Sequence, residues 1–330
     1  MNNRNLKVGF IGAGYMGYGM AKNLIKNFTV FVIAHSNRKP IQKLVNDGAI
    51  EVNSYKELVS LNLDCLMMCV TNTPIAMKIA EELSPLINNK ILLIDLTTHD
   101  KTGTTKMKNI FSTTNVKYTV NPVMGGPVQS EEGVLGGIWG GDNSHFEESK
   151  KYLTSFCKNV FNFGSVEKAA QAKLLSNFLS LLTTTTVIEF FRAANKLDID
   201  INLLCDVAKL GSGNSGALDR ISTKALQGDY KGYVFSVNNT LKDLTYINDL
   251  LKGSKNSEQL SEIAISSARV VKLFGYEPRI AFLSHSTFGT PKTRATKNLR
   301  DAVEILKEKK VDFKFPKNIF LQFITFLSRI

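Results

Sequence analysis

The sequence predicts an α/β protein, in which a doubly wound parallel sheet is followed by an all-α domain. Short apolar runs alternate with helical patterns through the first half of the 330-residue chain, and this alternation is typical of parallel strands covered by helices on both faces. A long helical pattern from Val166 to Lys196 follows. The first apolar run leads into a glycine-rich turn and then a helix, so we expect a Rossmann-type sheet.

Five apolar runs give the predicted strands: Leu6 to Ile11, Thr29 to Ala34, Cys65 to Val70, Ile91 to Leu96 and Val116 to Val120. Ligands of such sheets gather at the carboxyl ends of the strands. Thr71 and Asn72 after the third run, and Thr97, Thr98 and His99 after the fourth, are therefore candidates to line a ligand site. Thr71 is equally well explained as a turn residue, and for His99 that is the favoured interpretation.

The turn after the first run indicates phosphate binding. Gly12 allows a tight turn, Gly14 lets the backbone approach a pyrophosphate, and Gly17 lets the helix pack on the strand. The start of the helix then presents free N–H groups to the phosphates. We therefore predict a nicotinamide dinucleotide on Gly12, Ala13, Gly14, Tyr15, Met16 and Gly17.

The end of the second strand decides between the two nicotinamide dinucleotides. An acidic residue would grip the ribose hydroxyls of NAD there, but the chain reads His35-Ser36-Asn37-Arg38-Lys39. Arg38 can pair with a 2′-phosphate through its planar fork, and Lys39 can act as a point charge. The alternative is a merely solvated loop. We predict NADP, with NAD possible, on Asn37, Arg38 and Lys39.

Paired glycines follow the sheet at Gly125-Gly126, Gly136-Gly137 and Gly140-Gly141. Clustered backbone N–H groups would suit a carboxylate, whereas a plain hairpin would use the same residues for its turns. The sequence leaves these two interpretations evenly balanced.

Lys173 and Asn177 lie four residues apart in the long helical pattern, so their side chains reach the same small molecule. A single lysine on a helix is usually a solvated charge. Its neighbours Ala169, Ala170 and Leu174 make this position less polar than most surface lysines experience.

Five segments carry a resemblance to a known family: Gly9 to Gly17, Asp95-Leu96-Thr97-Thr98, Pro122 to Gly126, Lys173 with Asn177, and Lys242-Asp243-Leu244. Over about residues 8–250 the chain resembles the β-hydroxyacid dehydrogenases, which include 3-hydroxyisobutyrate dehydrogenase, tartronate semialdehyde reductase and glyoxylate/succinic semialdehyde reductases. Lys173 falls on that family's catalytic lysine and Asn177 on its partner asparagine. The third segment is similar to its substrate loop.

The resemblance implies hydride transfer between nicotinamide and a small carboxylate or semialdehyde substrate. Lys173 would be the general acid and base, and Asn177 would orient the substrate oxygen. Met124, Gly125, Gly126 and Thr98 would bind the substrate, while Thr71, Thr98 and Lys242 would contact the cofactor. A free lysine has a pKa of about 10.4, so a basic role requires burial or a nearby cation, such as Lys242.

Two departures weaken the match to the family. Met124 stands where the family's loop serine contacts the carboxylate, and a thioether donates no hydrogen bond. After residue 250 the expected helices give way to a segment, about 258–315, that resembles a fragment of the phosphotransacetylase-like domain of bacterial malic enzymes. The likeness is centred on Phe274 to Ser284. We expect a helix at Ile263 to Phe274, a strand at Arg279 to Ser286 and a basic helix at Thr293 to Lys309. The alternative function is therefore an inactive dinucleotide-binding protein. We expect domains at 1–164, 165–252 and 258–330, the last a short atypical α/β segment with an apolar tail.

Composition and charge limit the remaining classes. The 41 basic and 29 acidic residues leave a net charge of +12, but the lysines are spread along the chain, so we expect no nucleic acid. No secretory signal stands at the start and no run approaches the roughly 20 apolar residues of a membrane span. The four cysteines make no disulfide framework or metal set, which favours the cytoplasm. A homo-oligomer is possible.

Overall fold

The computed structural model describes residues 4–34, 37–87, 91–114, 116–229, 236–252, 257–273, 275, 277–280 and 294–315. The chain divides into two compact units, Met1–Ile247 and Asn248–Ile330. The strands are β1 (Lys7–Ile11), β2 (Thr29–Ile33), β3 (Ile50–Val52), β4 (Cys65–Met68), β5 (Leu92–Asp95), β6 (Lys117–Val120), β7 (Val123–Met124), β8 (Leu135–Trp139) and β9 (Cys157–Asn162). The helices are α1 (Tyr15–Ile25), α2 (Lys39–Asn46), α3 (Tyr55–Ser60), α4 (Thr73–Leu83), α5 (Lys101–Ser112), α6 (Pro127–Glu132), α7 (Phe146–Leu153), α8 (Val166–Lys196), α9 (Ile201–Leu210), α10 (Gly216–Ala225), α11 (Val237–Lys252), α12 (Ser257–Leu273) and α13 (Arg294–Glu308).

The first unit is built on a six-stranded sheet in the order β3-β2-β1-β4-β5-β6, with parallel pairing throughout. Alternate side chains of a strand point to opposite faces, and both faces of this sheet are buried. Cys65 and Met67 join one apolar cluster, whereas Leu66 and Met68 join the other. The predicted doubly wound sheet is confirmed, and the strand order reverses between β1 and β4, where such folds bind ligands.

A second sheet has the order β7-β8-β9. Gly136 and Gly137 lie inside β8 and pair with Met124 and Val123 of β7. The Gly140 N–H donates to the Val120 carbonyl. These glycines therefore take part in strand pairing and not in the turns that the hairpin interpretation expected, while Gly125-Gly126 remains in a loop.

Helices α1 and α6 are in close contact. Asn23 of α1 is buried, and its Nδ2 donates to the carbonyls of Ser130 and Glu131 at 2.9 and 3.0 Å. Ser130 Oγ donates back to the Met16 carbonyl at 2.7 Å. A Cβ on Gly19 would lie 2.5 Å from the Glu131 nitrogen, so this approach depends on a glycine.

Helix α8 corrects one expectation from the sequence. Its 31 residues are long and apolar enough, by length and composition alone, to cross a membrane, because Leu174, Leu181 and Val187 belong to a stretch with few charges. These three side chains are buried, whereas Leu175, Leu179 and Leu182 are exposed, and 28% of the apolar stretch is buried in all. Ser165 caps the start of α8 by accepting from the Lys168 N–H.

The second unit contains α12 and α13, which match the two helices expected from the sequence there. Ala264, Ala268, Leu306 and Phe313 form its small apolar cluster. Arg279 makes one isolated parallel bridge with Lys314. Most of the strand predicted from Arg279 to Ser286 lies outside the described residues, as do Phe274 and Tyr276 of the motif used for that segment.

All four cysteines are free, as the sequence predicts. Cys65, Cys157 and Cys205 are buried, and burial raises the pKa of each thiol. They therefore act as small core side chains rather than as reactive thiolates.

Candidate active site

The glycine turn after β1 leaves no room for side chains at two of its three glycines. Gly12 has φ +97°, and a Cβ there would lie 2.1 Å from the Cys69 carbonyl oxygen. A Cβ on Gly17 would lie 1.9 Å from the Gly12 carbonyl oxygen. A Cβ on Gly14, in contrast, has no described heavy atom within 4 Å. Gly12 and Gly17 are thus required by packing, while the space over Gly14 is open to a ligand.

Helix α1 begins beside that space, with Gly14 as its N-cap residue. Its first turn carries no acidic side chain, and Tyr15 extends into solvent with 84% of its surface exposed. Unpaired N–H groups at a helix start attract anions. An open glycine, an uncapped helix and an uncharged first turn all fit the pyrophosphate of a dinucleotide.

The residues predicted for the 2′-phosphate lie at the surface beyond β2. Asn37, Arg38 and Lys39 are exposed, and the Lys39 N–H donates to Asn37 Oδ1 at 3.2 Å. Arg38 Nη2 lies 2.9 and 3.0 Å from the two carboxylate oxygens of Glu51 on β3. Arg38 is therefore exposed beyond the end of β2, where the sequence predicted it. Its charge is partly neutralised by Glu51, a partner that the sequence did not suggest.

The loops after β4 and β5 meet at the same edge of the sheet. The Val70 N–H donates to Thr97 Oγ1 at 3.2 Å, and Lys242 Nζ donates to the Thr71 carbonyl at 3.1 Å. Thr98 is half-buried between Thr97 and His99. Thr71, Thr98 and Lys242, three of the predicted cofactor contacts, thus belong to one connected region of the first unit.

His99 lies in the turn after β5, but its side chain is not solvated. Only 2% of its surface is exposed, and Nε2 lies 2.8 Å from Oδ2 of the fully buried Asp95. Its Nδ1 lies 3.2 Å from Thr73 Oγ1 at the start of α4. The Tyr118 hydroxyl also donates to Asp95 Oδ2, at 3.1 Å. The sequence did not suggest these contacts, because they depend on residues of α4 and β6 that meet the turn only in the folded chain.

Lys173 lies in the interior of the protein rather than at its surface, with 8% of its area exposed. Its Nζ donates to the Val123 carbonyl at 2.7 Å and contacts Met124 Sδ at 3.3 Å. Burial lowers the pKa of Lys173 to about 8, against a raising effect of Asp243 and a smaller lowering effect of Lys242. The amine can therefore both donate and accept a proton near neutral pH.

Asn177 and Lys242 meet through a residue to which the sequence assigned no role. Asp243 is 3% exposed, and its Oδ2 accepts from Asn177 Nδ2 at 2.8 Å, while Oδ1 lies 3.3 Å from Lys242 Nζ. Lys242 also lies 5.7 Å from the centre of the Tyr246 ring. Only the position of Asp243 directly after Lys242 could have drawn attention to it.

The loop predicted to bind substrate is folded against α8. Met124 is half-buried with its sulfur towards Lys173. Gly125 has φ +124° and is exposed. The Gly126 N–H donates to Gln129 Oε1 at 2.9 Å, so this half of the predicted carboxylate cradle already has a partner inside the chain.

The parallel sheet, its strand order and the glycine turn fit the binding of a nicotinamide dinucleotide, and the matches to known proteins identify an NAD(P)-dependent oxidoreductase. Residues 7–164 match a family model described as the NAD binding domain of 6-phosphogluconate dehydrogenase. Residues 168–272 match one described as NAD-binding of NADP-dependent 3-hydroxyisobutyrate dehydrogenase. Taken together, these two adjoining matches support the β-hydroxyacid dehydrogenase family, to which the chain is similar. A third model, described as phosphate acetyl/butaryl transferase, matches residues 237–316.

Individual proteins agree with this assignment at low identity. An uncharacterised oxidoreductase of Synechocystis is 27% identical over 252 residues, 74% of this chain and 85% of that protein. The chloroplastic glyoxylate/succinic semialdehyde reductase 2 of Arabidopsis thaliana is 23% identical over 273 residues, covering 82% and 76%. A crystal structure of 3-hydroxyisobutyrate dehydrogenase from Salmonella typhimurium has a TM-score of 0.68 and 21% identity, over 75% of this chain and 87% of that one. At this identity the structure shows the fold alone.

Proposed function

We propose that this enzyme interconverts a small β-hydroxy acid and its semialdehyde or keto partner, with Lys173 as general acid and base. The observation that carries the proposal is the buried Lys173 amine, held on the Val123 carbonyl beside the substrate loop. An ammonium group has three N–H donors, and the Val123 oxygen and Met124 sulfur engage two of them. The third is available to a substrate oxygen.

Different residues of the chain transfer the proton, orient the substrate oxygen and bind the substrate carboxylate. When bound, the nicotinamide supplies or receives the hydride. Lys173 donates a proton to the substrate carbonyl oxygen during reduction and accepts one during oxidation. Asn177, fixed by Asp243, orients that oxygen. Because the Gly126 amide is engaged by Gln129, the Gly125 amide is the one left to hold the carboxylate.

The charge of this region and the names of similar proteins support a substrate class. A positively charged lysine beside a glycine loop suits a small anion, and the relatives are named for 3-hydroxyisobutyrate and for glyoxylate and succinic semialdehyde. Met124 brings a thioether to the position beside the lysine. We therefore infer a substrate that is bulkier or less polar near its carboxylate than glyoxylate.

A substrate screen tests the function. NADPH oxidation would be followed with glyoxylate, succinic semialdehyde, tartronate semialdehyde and methylmalonate semialdehyde, and we expect turnover with at least one. The alternative, an inactive dinucleotide-binding protein, is favoured by Met124 and by the engaged Gly126 amide. It predicts NADPH binding with no turnover on any of the four, an outcome that would overturn the proposed activity.

We further propose that NADP is preferred over NAD. The Arg38 side chain is 66% exposed although it pairs with Glu51, whose side chain is 26% exposed. Exposed ion pairs contribute little stability. A 2′-phosphate can therefore compete with Glu51 for the Arg38 guanidinium.

Replacing Arg38 by alanine is expected to weaken NADPH binding about tenfold, because a charge-assisted hydrogen bond contributes roughly 1.5–3 kcal/mol before competition from Glu51. NADH binding should change less than about twofold, since NADH carries no 2′-phosphate. Glu51→Gln should strengthen NADPH binding by removing the competing carboxylate. Calorimetric titration with both cofactors measures these effects.

Arg192→Ala is the matched control for Arg38→Ala, because Arg192 pairs with Glu189 in a comparably exposed ion pair. We expect it to leave both affinities unchanged. If Arg38→Ala weakened NADH and NADPH equally, Arg38 would have no role in choosing the cofactor.

A further inference from the structure

A buried group of polar side chains at the ends of β5 and β6 has no part in the proposed proton transfer. It consists of Asp95, His99, Thr73 and Tyr118. Asp95 and His99 are 0% and 2% exposed, and Thr73 is 4% exposed. Burial of a carboxylate and an imidazole is costly unless their hydrogen bonds are satisfied. The network therefore holds these groups in one specific arrangement.

Both carboxylate oxygens of Asp95 have hydrogen-bond partners. Its Oδ1 accepts from the Thr97 N–H at 2.9 Å, and its Oδ2 accepts from Tyr118 and faces His99 Nε2. Burial, together with the Asp95 charge, raises the pKa of Tyr118 well above its ordinary value, so the phenol stays protonated and remains a donor. The carboxylate is thus a fixed anchor at the end of β5.

Thr73 anchors the other side of the ring. Its Oγ1 accepts from the Asp100 N–H at 3.3 Å, which leaves the hydroxyl proton to donate to His99 Nδ1. The Nε2 proton then points at Asp95. A Cβ on Gly103 would lie 2.1 Å from Thr73 Cγ2, so α5 packs tightly against the threonine and restricts its rotamer.

His99 thereby joins the loop after β4 to the loop after β5. The first loop carries Thr71, whose carbonyl accepts from Lys242, and the second carries Thr98. A second cross-link, from the Val70 N–H to Thr97 Oγ1, lies nearby. Both loops end at the edge of the sheet where the proposed function requires the nicotinamide ring.

We propose that His99 is a positioning residue, which sets the distance between the loops at residues 70–73 and 96–100 and so aligns the nicotinamide with the substrate carbon. The inference rests on the proposed function. Misplacing reacting groups by about 1 Å can cost up to about 100-fold in rate, whereas binding of the distant pyrophosphate and adenosine would change little.

The test replaces His99 by phenylalanine, which fills the space without polar contacts, and by glutamine, whose amide can restore the bond to Asp95. We expect His99→Phe to lower kcat about 10- to 100-fold with the Kd for NADPH changed less than about threefold, and His99→Gln to recover part of the loss. His145→Phe, at a half-buried surface histidine, is the matched control and should leave kcat unchanged.

A further variant separates positioning from stability. Thr73→Val keeps the shape of the threonine and breaks the bridge at its other end. We expect a kcat loss similar to that of His99→Phe and no additional loss in the double variant, because both remove the same bridge. A lowered melting temperature with unchanged kcat, or additive losses in the double variant, would overturn the proposal.

A second readout works without turnover. The fluorescence lifetime and anisotropy of bound NADPH report the mobility of its dihydronicotinamide. We expect a more mobile ring in His99→Phe than in the wild type at full saturation, and an equally immobile ring would count against the positioning role. If the wild type bound NADPH but reduced no substrate, only the proposed activity would fail, and the fluorescence comparison would still decide the role of His99.

Discussion

A Lys173→Met variant is expected to bind NADPH like the wild type and to lose about a thousandfold in turnover, within the range of roughly 10²–10⁴ for general acid–base catalysis. Methionine matches the length and apolar stem of the buried lysine but carries no proton. The substitution leaves the Val123 carbonyl without its 2.7 Å donor. Steady-state rates and calorimetric titration of NADPH measure the two effects separately.

Lys168→Met is the matched control, since Lys168 lies on the same helix but is exposed. It should change neither rate nor affinity. Equal rates for Lys173→Met and the wild type would remove Lys173 from the mechanism. Loss of NADPH binding together with activity would instead indicate that the lysine supports the fold of the site.

The pH dependence gives a second test of the same group. With a Lys173 pKa of about 8, the protonated acid that reduction requires is present below pH 8 and is lost as the pH rises through this value. The neutral base that oxidation requires appears over the same interval. Reduction should therefore slow, and oxidation accelerate, as the pH rises through 8, and both trends should be absent from the residual activity of Lys173→Met.

A Gly17→Ala variant is expected to lose both stability and cofactor binding. The new methyl group would lie 1.9 Å from the Gly12 carbonyl oxygen and 3.1 Å from the Phe10 ring, so α1 must move away from β1. Overpacking of this kind typically costs about 1–3 kcal/mol, and the backbone contact places Gly17 at the upper end. Thermal unfolding and NADPH titration should both show the damage.

Gly14→Ala separates the effect of an added methyl group on cofactor binding from its effect on stability. Its Cβ meets no described atom within 4 Å and its φ of −76° suits alanine, so stability should be unchanged. NADPH affinity should nevertheless fall, because the methyl group would occupy the approach of the pyrophosphate. Normal NADPH binding by Gly14→Ala would contradict our placement of the phosphates, and a wild-type melting temperature for Gly17→Ala would contradict the packing argument.

Features that depend only on residues close together in the sequence could be predicted without the structure. The strand, turn and helix around Gly12 to Gly17 follow from local patterns, and so does the less polar setting of Lys173, whose alanine and leucine neighbours lie on the same helix. The order of the strands was not predicted, and β3 (Ile50–Val52) was missed because three residues give no recognisable apolar run.

Features that depend on contacts between distant parts of the chain could not be predicted from the sequence. Glu51 meets Arg38 only because β3 pairs beside β2. Asp243 looks like half of a surface charge pair until α11 packs its carboxylate against Asn177. The engagement of Gly126 by Gln129 depends on a helix of six residues, too short to give a periodic signal.

The contact between α1 and α6 limits how this enzyme can be redesigned. Asn23 holds the backbone of Ser130 and Glu131, and the Ser130 hydroxyl holds the Met16 carbonyl. The helix that follows residues 124–126 is thus bonded to the helix at which we place the phosphates. A chimera that moves residues 124–126 of this chain into another dehydrogenase must therefore carry the equivalents of Ser130 and Gly19 as well, or the transferred loop will lack its contact with α1.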